Sequence, residues 1–254
     1  MRRAAWALVL LLVAPLGAAA PGDGVDWGRQ VLQVTGNGPP DGKASNAAQA
    51  RLGAERSAKQ NALERLRERV KTLPLRADRT VGEELGREEL RRAVDTVLLG
   101  HTVVRKRYFS DGGVQVDVEV PLGALTSVLV APEPAAPPAG TKPDAASKHT
   151  GLVVDARKLT LTPVLAPRLL DAKGQRVYSA ASLSSEAWKS TGVAGFFPSL
   201  ERAREAGGVG ERPLVLEAVG IQGSDLQLGP DAEAALADLD PRLLAGGRVA
   251  ILVR

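Results

Sequence analysis

The chain has 254 residues, with 33 Lys and Arg against 29 Asp and Glu and a formal net charge of +4. It contains no cysteine, which excludes disulfides, thiolate nucleophiles and zinc sites with cysteine ligands. The small basic excess does not predict a nucleic-acid-binding protein, and aromatic residues at 3% leave few platforms for stacking bases or sugars. With only two histidines, a metal site built on three of them is excluded as well.

Residues 1–19 have the three-part pattern of a secretory signal peptide. Arg2 and Arg3 precede an apolar run over 4–16, and small residues follow it. We expect cleavage after Ala19, which lowers the net charge to about +2 because both arginines leave with the signal. The apolar run is too short to span a bilayer, and no cysteine is available for a lipid anchor. The sequence therefore predicts an exported protein of the periplasm or the periplasmic face of the outer membrane, with no transmembrane span after signal removal.

The first predicted strand covers residues 25–35, with Trp27 near its start. A stretch rich in glycine and proline, GNGPPDG over 36–42, follows and predicts a sharp break in the chain. The stretch looks superficially like a dinucleotide-binding fingerprint. However, Asp41 stands where the third glycine is required, and two prolines remove backbone donors that a phosphate needs. We therefore predict a plain turn from strand to helix.

A long amphipathic helix is predicted over residues 46–73. Small and apolar residues recur at three- and four-residue spacing, while Arg, Lys, Glu and Gln fill the other faces. Because small side chains let the axis of a helix approach what it covers, we expect this helix to lie flat on a sheet formed by the strands before and after it. The buried stripe is predicted to contain Ala47, Ala50, Ala54, Ala58, Ala62, Leu66, Val70 and Leu73.

The clearest strand pattern comes next. A short charged helix is predicted over 80–92, and residues 94–109 and 114–120 then predict a hairpin with its turn at 110–113. Strict alternation in the second strand directs its four valines inward. The outward side chains are Gln115, Asp117 and Glu119, expected opposite Arg105, Lys106 and Arg107.

Asp117 and Glu119 could be taken for a pair of catalytic carboxylates. Their placement two residues apart on an exposed face, opposite basic side chains, favours cross-strand salt bridges over acid–base catalysis or a metal site. His101 lies in the first predicted strand with no second histidine nearby, which favours a structural role.

The composition changes after the hairpin. Residues 121–130 predict a short helix, and 131–149 are rich in proline and alanine with no apolar periodicity. Such a segment is typical of an extended, semi-rigid linker. We therefore place a boundary there and predict one domain over 25–130 and a second over 150–254.

The second domain is predicted to mix short strands and helices. Its closing strand should be central in a sheet because its apolar residues do not alternate with polar ones. The predicted elements are a strand over 150–157, a hairpin over 166–178 turning at 171–174, an irregular segment over 182–195, a helix over 198–206, strands over 213–220 and 224–228, a helix over 230–239 and a final strand over 248–254.

Asp155 and Arg157 are the best candidates in this domain for contact with a ligand or a partner. They follow an apolar strand directly, and strand ends in layered α/β structures often host ligands. An aspartate at the end of a strand also commonly caps a turn, and this alternative stays open. Catalytic residues, cofactors and metal ligands are not predicted anywhere in the chain.

The fold class predicted from these patterns is α+β. A long helix with an alanine stripe packs on a small, mostly antiparallel sheet, and a second α/β module follows it.

Three segments together resemble a family of bacterial envelope proteins. They are VDWGRQVLQVTGNG with the helix AQARLGAERSAKQNALERLRERV, the hairpin VVRKRYFSDGGVQVDVEVPL, and TGLVVDARKLTLTPVLAPRLLDAKGQRVYS after the linker. The family joins small outer-membrane lipoproteins to the N-terminal part of flagellar assembly protein T. The resemblance implies a non-enzymatic α+β module of the periplasm or outer membrane, used by some members in rings around the flagellar motor. This chain lacks the lipidated cysteine of the lipoprotein branch, so attachment through a protein partner is expected.

The leading hypothesis is an exported, non-enzymatic protein that acts through contacts with envelope or flagellar basal-body proteins. Its role would be the assembly of flagellar or outer-membrane rings. Whether the chain forms a homo-oligomer is left open by the sequence. An alternative is a periplasmic module that binds a small ligand or a cell-wall component through Asp155, Arg157 and the 182–195 loops. A hydrolase using two carboxylates is disfavoured, because adjacent acids on an exposed strand lack the apolar burial that raises the pKa of a catalytic acid.

Overall fold

The computed structural model describes residues 23–76, 78–130 and 148–254. The predicted signal peptide and most of the predicted linker therefore lie outside the described residues. The described chain is α+β, as the sequence predicts: a long helix packs on one sheet in the N-terminal half, and a second, larger sheet forms in the C-terminal half. Within the described residues, no helix has the length and apolar character needed to cross a membrane.

The N-terminal half is built on a four-stranded antiparallel sheet in the order β1-β2-β6-β5, with a separate small pair of β3 and β4. Its helices α1, α3 and α4 enclose one apolar core with this sheet. In chain order the elements are β1 (Gly24–Asp26), β2 (Val31–Gly38), α1 (Ala47–Lys71), β3 (Pro74–Arg76), β4 (Arg79–Thr80), α2 (Val81–Glu84), α3 (Glu88–Leu99), β5 (Thr102–Tyr108), β6 (Val114–Pro121) and α4 (Leu122–Leu129).

Helix α1 confirms the predicted long helix. Asn46 is its N-cap, and the side-chain oxygen of Asn46 accepts a hydrogen bond from the backbone nitrogen of Gln49 at 2.9 Å. The face that α1 turns toward the sheet is made mostly of small residues, although the predicted stripe is too long at its start because Ala47 is exposed. The buried members are Ala54, Ala58, Ala62, Leu66, Val70 and, just beyond the helix, Leu73.

Strand β2 approaches α1 so closely that it needs glycine at two positions. A Cβ at Gly36 would lie 2.6 Å from the backbone nitrogen of Ala62, and one at Gly38 would lie 2.7 Å from that of Ala58 and overlap the carbonyl oxygen of Ala54. Both distances are shorter than a Cβ atom tolerates. The predicted turn over 36–42 was therefore wrong at its start, because Gly36 and Gly38 continue the strand under the helix.

The first predicted strand also divides in two. Residues 27–30 form a turn that separates β1 from β2, and β1 pairs with only the first three residues of β2. Beyond that point, backbone nitrogens of β2 donate hydrogen bonds to side chains. Asp23 accepts a hydrogen bond from the nitrogen of Thr35 at 2.7 Å, and Asn61 of α1 accepts one from Asn37 at 3.0 Å.

Residues 94–99 are helical, which corrects the predicted strand over 94–109. Val94 and Leu98 are four residues apart, so both face the core from α3, with relative exposures of 3% and 1%. The strand begins only at Thr102. The rest of the hairpin is confirmed: β5 and β6 pair antiparallel around the predicted turn, and the valines at 114, 116, 118 and 120 are buried.

The C-terminal half forms a seven-stranded mixed sheet in the order β10-β13-β7-β11-β12-β8-β9. The predicted hairpin over 166–178 is confirmed, whereas the segment predicted as irregular contains α5 and β10. The elements are β7 (Leu152–Asp155), β8 (Leu169–Leu170), β9 (Arg176–Tyr178), a 3₁₀ turn (Ala180–Ser182), α5 (Ser185–Ser190), β10 (Gly195–Phe197), α6 (Leu200–Glu205), β11 (Leu214–Gln222), β12 (Asp225–Leu228), α7 (Ala232–Ala237), α8 (Pro241–Ala245) and β13 (Val249–Leu252).

Strands β10, β13, β7 and β11 run parallel to one another. Strand β13 lies between β10 and β7, and all four of its residues are buried, which confirms the prediction of a central closing strand. Leu152 and Val154 of β7 face one apolar cluster while Val153 faces another, beneath α6. Cover on both faces of the sheet explains why β13 and the first three residues of β7 are all apolar.

The two halves are packed against each other. Leu165 and Ala166 of the C-terminal half belong to the core of the N-terminal half, and their backbone nitrogens donate to the carbonyl oxygens of Pro74 (2.9 Å) and Leu75 (3.2 Å). Gly123 of α4 approaches the C-terminal half so closely that a Cβ there would lie 2.5 Å from the carbonyl oxygen of Trp188. The contact between the halves therefore involves both apolar burial and backbone hydrogen bonds.

Replacing Gly38 with alanine tests the close approach of α1 to β2. The added Cβ overlaps the backbone of α1, so we expect Gly38→Ala to lower the free energy of unfolding by about 1–3 kcal/mol. Gly24→Ala is the matched control, because a Cβ at Gly24 meets no atom within 4 Å, and its effect should stay within about 1 kcal/mol. Urea unfolding followed by circular dichroism measures both. Equal unfolding midpoints for the two variants would contradict the close approach of α1 to β2 at Gly38.

Candidate functional site

Asp155 and Arg157 lie where β7 ends, at the carboxyl edge of the parallel strands. The structure brings the two side chains together: Oδ1 of Asp155 accepts hydrogen bonds from the backbone nitrogen (3.1 Å) and Nε (3.0 Å) of Arg157, and Oδ2 accepts one from Nη2 at 2.6 Å. The aspartate thus holds the turn that follows the strand and pairs with the guanidinium at the same time. Each of the two predicted contact residues is the other's partner.

The same edge carries a further ion pair and a hydrogen bond from another arginine. Nζ of Lys158 lies 2.6 Å from Glu217 on the neighbouring strand, and Nε of Arg254 donates to the carbonyl oxygen of Arg157 at 2.6 Å. The hydrogen bonds that Arg157 donates to Asp155 lower the pKa of Asp155 below its ordinary value and raise the pKa of Arg157. Both groups are therefore held in their charged forms, which suits a structural ion pair better than a proton donor or acceptor.

Asp117 is much less exposed than its position on the outer face of the sheet predicts. Its relative exposure is 3% because cross-strand side chains cover it. Nη2 of Arg107 donates to both carboxylate oxygens, at 2.8 and 3.1 Å, and the hydroxyl of Thr35 on β2 donates to Oδ1 at 2.9 Å. Arg105 lies 3.8 Å away on the same strand as Arg107. The predicted pairing with the basic strand is confirmed, and the predicted exposure of Asp117 was wrong.

Glu119, on the same polar face of the sheet, is held by side chains from the β1–β2 turn and from β2. Its carboxylate accepts hydrogen bonds from Nη2 of Arg29 at 3.1 and 3.2 Å and a further one from the side chain of Gln33. Asp117 and Glu119 therefore engage different cations, Asp117 that of Arg107 on β5 and Glu119 that of Arg29 in the β1–β2 turn. That is the arrangement of a structural network.

The described residues contain no group of three or more His, Cys, Asp or Glu side chains placed to hold a metal ion. His101 follows α3, and its Nδ1 lies 2.9 Å from the carbonyl oxygen of Leu98. This position agrees with the structural role predicted for it.

A cleft that was not predicted from the sequence opens where the β1–β2 turn meets the C-terminal half. The carbonyl oxygen of Trp27 accepts a hydrogen bond from the backbone nitrogen of Phe196 at 3.0 Å, and the two rings pack edge to face with centroids 5.7 Å apart. Oδ1 of Asp26 shapes the turn by accepting from the nitrogens of Gly28 (3.1 Å) and Arg29 (2.9 Å). The turn is thereby fixed against the edge strand β10.

Gln30 closes this turn in an uncommon conformation. Its φ of 56° makes it the one non-glycine residue with positive φ in the described chain, and it is 6% exposed. Its Nε2 donates to the carbonyl oxygen of Trp27 at 2.7 Å, and its own carbonyl oxygen accepts from Leu122 at 2.8 Å. Gly192 passes so near that a Cβ there would overlap Oε1 of Gln30. Strain of this kind persists only where the surroundings fix it, and it concentrates at functional sites.

The cleft beside this turn has a volume of about 580 Å³, within the range of small-molecule sites. One wall is the turn itself, and the other is formed by the start of β13 and the loop after α6. Its charged lining residues are Arg29 and Arg248. The one local signal was the run Asp26-Trp27-Gly28, which is typical of a tight turn; the opposite wall comes from residues more than 160 positions away.

A family model for the second domain of Treponema pallidum Tp0624 matches residues 151–254. The match covers about two fifths of the chain and begins one residue before β7, so it includes the whole seven-stranded sheet. The chain is thus similar to that domain over its C-terminal half. A comparison with curated proteins gave no match.

Arg157→Gln tests the ion pair at the edge of the sheet. Without the guanidinium, the pKa of Asp155 should rise toward the ordinary value for aspartate. Because the native pKa of Asp155 is lowered, its contribution to stability is present at neutral pH and is lost as the pH falls below the ordinary value; the variant should lack this loss. Carboxyl carbon NMR titration measures the pKa. Asp240, which pairs with Arg242 in the same spacing, is the internal control and should titrate unchanged.

Asp117→Asn tests whether Asp117 is structural. The amide keeps the shape but loses the charge that faces Arg107, so we expect the free energy of unfolding to fall by about 1–3 kcal/mol. Glu119→Gln faces the more exposed Arg29 and should cost less than about 1 kcal/mol. Chemical denaturation compares the two. A larger loss for Glu119→Gln than for Asp117→Asn would argue against the buried role of Asp117.

Proposed function

We propose that the protein is a non-enzymatic, exported component of the bacterial cell envelope that acts through protein–protein contacts, with the assembly of flagellar or outer-membrane rings as its role. The pattern of residues 1–19 supports export. The resemblance to the family of envelope lipoproteins and flagellar assembly protein T supports the role. The carboxylates that could have served a hydrolase, Asp117, Glu119 and Asp155, are engaged in ion pairs, which favours a function without catalysis.

The observation that carries this proposal is the exposed edge formed by β5 and the residue after it, here called the β5 edge (Thr102–Phe109). Among the described residues, strand β5 is the last strand of its sheet and pairs on one side only, with β6. Val104, Tyr108 and Phe109 expose 46%, 49% and 49% of their surface. Unpaired backbone groups beside apolar side chains are the features that accept an added strand from another protein.

The β5 edge is anchored to α1. Glu55 receives hydrogen bonds from Nζ of Lys106 at 2.7 Å and from the hydroxyl of Tyr108 at 3.2 Å, and the guanidinium of Arg51 lies 5.7 Å from the centre of the Tyr108 ring. The hydrogen bonds from Lys106 and Lys59 lower the pKa of Glu55 to about 2. The carboxylate stays ionised at neutral pH, so the edge is presented on a fixed support.

The charges of the β5 edge indicate the chemistry of its partner. Arg105, Lys106 and Arg107 are consecutive, and the register with β6 shifts at Val104. Two copies paired edge to edge would bring these basic side chains together, and like charges opposite each other destabilise a sheet. The edge therefore suits an extended segment of a different protein, with acidic side chains and apolar ones between them.

We test this by placing a photocrosslinking amino acid at position 104 in intact cells and identifying the captured proteins by mass spectrometry. Val104 is 46% exposed, so we expect a specific partner from the envelope or the flagellar basal body. Position 219 is the matched control, because Val219 is 58% exposed on the distant strand β11 and should not capture the same partner. Capture of the same proteins from both positions, or of none from position 104, would contradict the proposal.

A second variant checks the role of charge. Replacing Arg105 with glutamate should abolish the crosslink from position 104, because the side chain is half exposed and its reversal repels an acidic partner. Urea unfolding of this variant confirms that it is folded. An undiminished crosslink would exclude an acidic partner at this edge.

A further inference from the structure

The cleft between the β1–β2 turn and the C-terminal half has a one-sided charge. Two arginines, Arg29 and Arg248, line the cleft, and its lining includes no acidic residue among the described ones. Arg29 already directs Nη2 to Glu119 at 3.1 Å. Arg248 differs: it is exposed and its side chain forms no ion pair within the described residues. The one hydrogen bond of that side chain there is a long one of 3.4 Å, from Nη1 to the carbonyl oxygen of Thr150. The guanidinium of Arg248 therefore has donors available for an anion that enters the cleft.

Gln30 supplies the complementary group. Its Nε2 is used by the carbonyl oxygen of Trp27, which fixes the orientation of the amide. The hydrogen bond of this amide within the described residues is donated by Nε2, and Gln30 lines the cleft, so its Oε1 is left to accept from a ligand. An amide oxygen held in the wall of a cleft with its orientation fixed can accept a hydrogen bond from a ligand N–H group.

The remaining wall is apolar and shaped by small residues. Phe197 lines the cleft beside Ala203, Ala206 and Val209, and the ring of Phe197 leaves no room for a side chain at Gly195, where a Cβ would lie 2.7 Å from it. Such a wall accepts small apolar groups and brings the ligand close to the backbone. The cleft thus offers a cation, an acceptor and an apolar wall within about 580 Å³.

We propose that this cleft binds the carboxyl-terminal end of a short peptide with small apolar side chains. Arg248 binds the carboxylate, Oε1 of Gln30 accepts a peptide N–H, and the side chains lie along Phe197 and the alanines of α6 and its following loop. The left-handed conformation of Gln30 is then explained, because it places the amide in the wall of the cleft. This inference does not depend on the β5 edge, and the two are tested separately.

The test is a titration of the full processed protein with trialanine, trialanine amide and acetate, followed by the backbone amide NMR signals. Trialanine should shift the signals of Gly28, Gly208 and Gly247, which line the cleft. The amide, which lacks the carboxylate, should bind at least about tenfold more weakly, as expected for loss of a charge-assisted hydrogen bond. Acetate should bind more weakly than trialanine because it reaches only the cation.

Matched arginine variants separate the cleft from general charge effects. Arg248→Gln should remove the preference for trialanine over its amide, whereas Arg157→Gln, an exposed arginine at the opposite edge of the sheet, should leave it unchanged. Both side chains are exposed, so both variants are expected to fold, and their amide spectra verify this. Equal affinity of the acid and the amide, equal effects of the two variants, or no shifts at millimolar trialanine would overturn the proposal. Acetate binding as tightly as trialanine would overturn the peptide as the ligand.

Discussion

The close contact between α1 and β2 is the constraint on which the N-terminal half depends. The helix has alanine at positions 54, 58 and 62, and the strand has glycine at 36 and 38 where it faces the helix. The two backbones therefore approach without large side chains between them. Interiors packed at this density tolerate little added volume. The helix therefore has one position on the sheet. The β5 edge is fixed relative to the helix through Glu55, and the β1–β2 turn is fixed through β2, the strand that the helix covers.

The features that sequence reasoning predicted are those that local pattern controls. The spacing of the alanines predicted α1, the alternation of valines predicted β6, and residues 110–113 predicted the hairpin turn. Each of these elements depends on residues close together in the chain. The central place of β13 followed from its lack of alternation. The position of Asp155 and Arg157 at a strand end was also predictable, and their bidentate pairing follows from their spacing.

The errors arose where contacts between distant residues override local preference. Glycine in a strand normally signals a break, and only the helix lying over β2 explains why Gly36 and Gly38 remain in it. Val94 is of a type that favours strands and Leu98 of a type that favours helices, so local preference does not decide this segment. Burial of both side chains in the core stabilises the helix. Asp117 is buried by arginines that reach across from β5. The cleft at Gln30 joins parts of the chain that no local pattern relates.

Leu165 and Ala166 make the two halves mechanically interdependent. Because this segment of the C-terminal half completes the apolar core of the N-terminal half, a protease cut in the stretch that joins them would not by itself release either piece. The fragments would remain as a nicked complex held by apolar packing and by backbone hydrogen bonds, among them those of Leu165, Ala166 and Phe196. A pull exerted on one half by a bound partner is likewise transmitted to the other through this inserted segment, so the pair can bear load as one body.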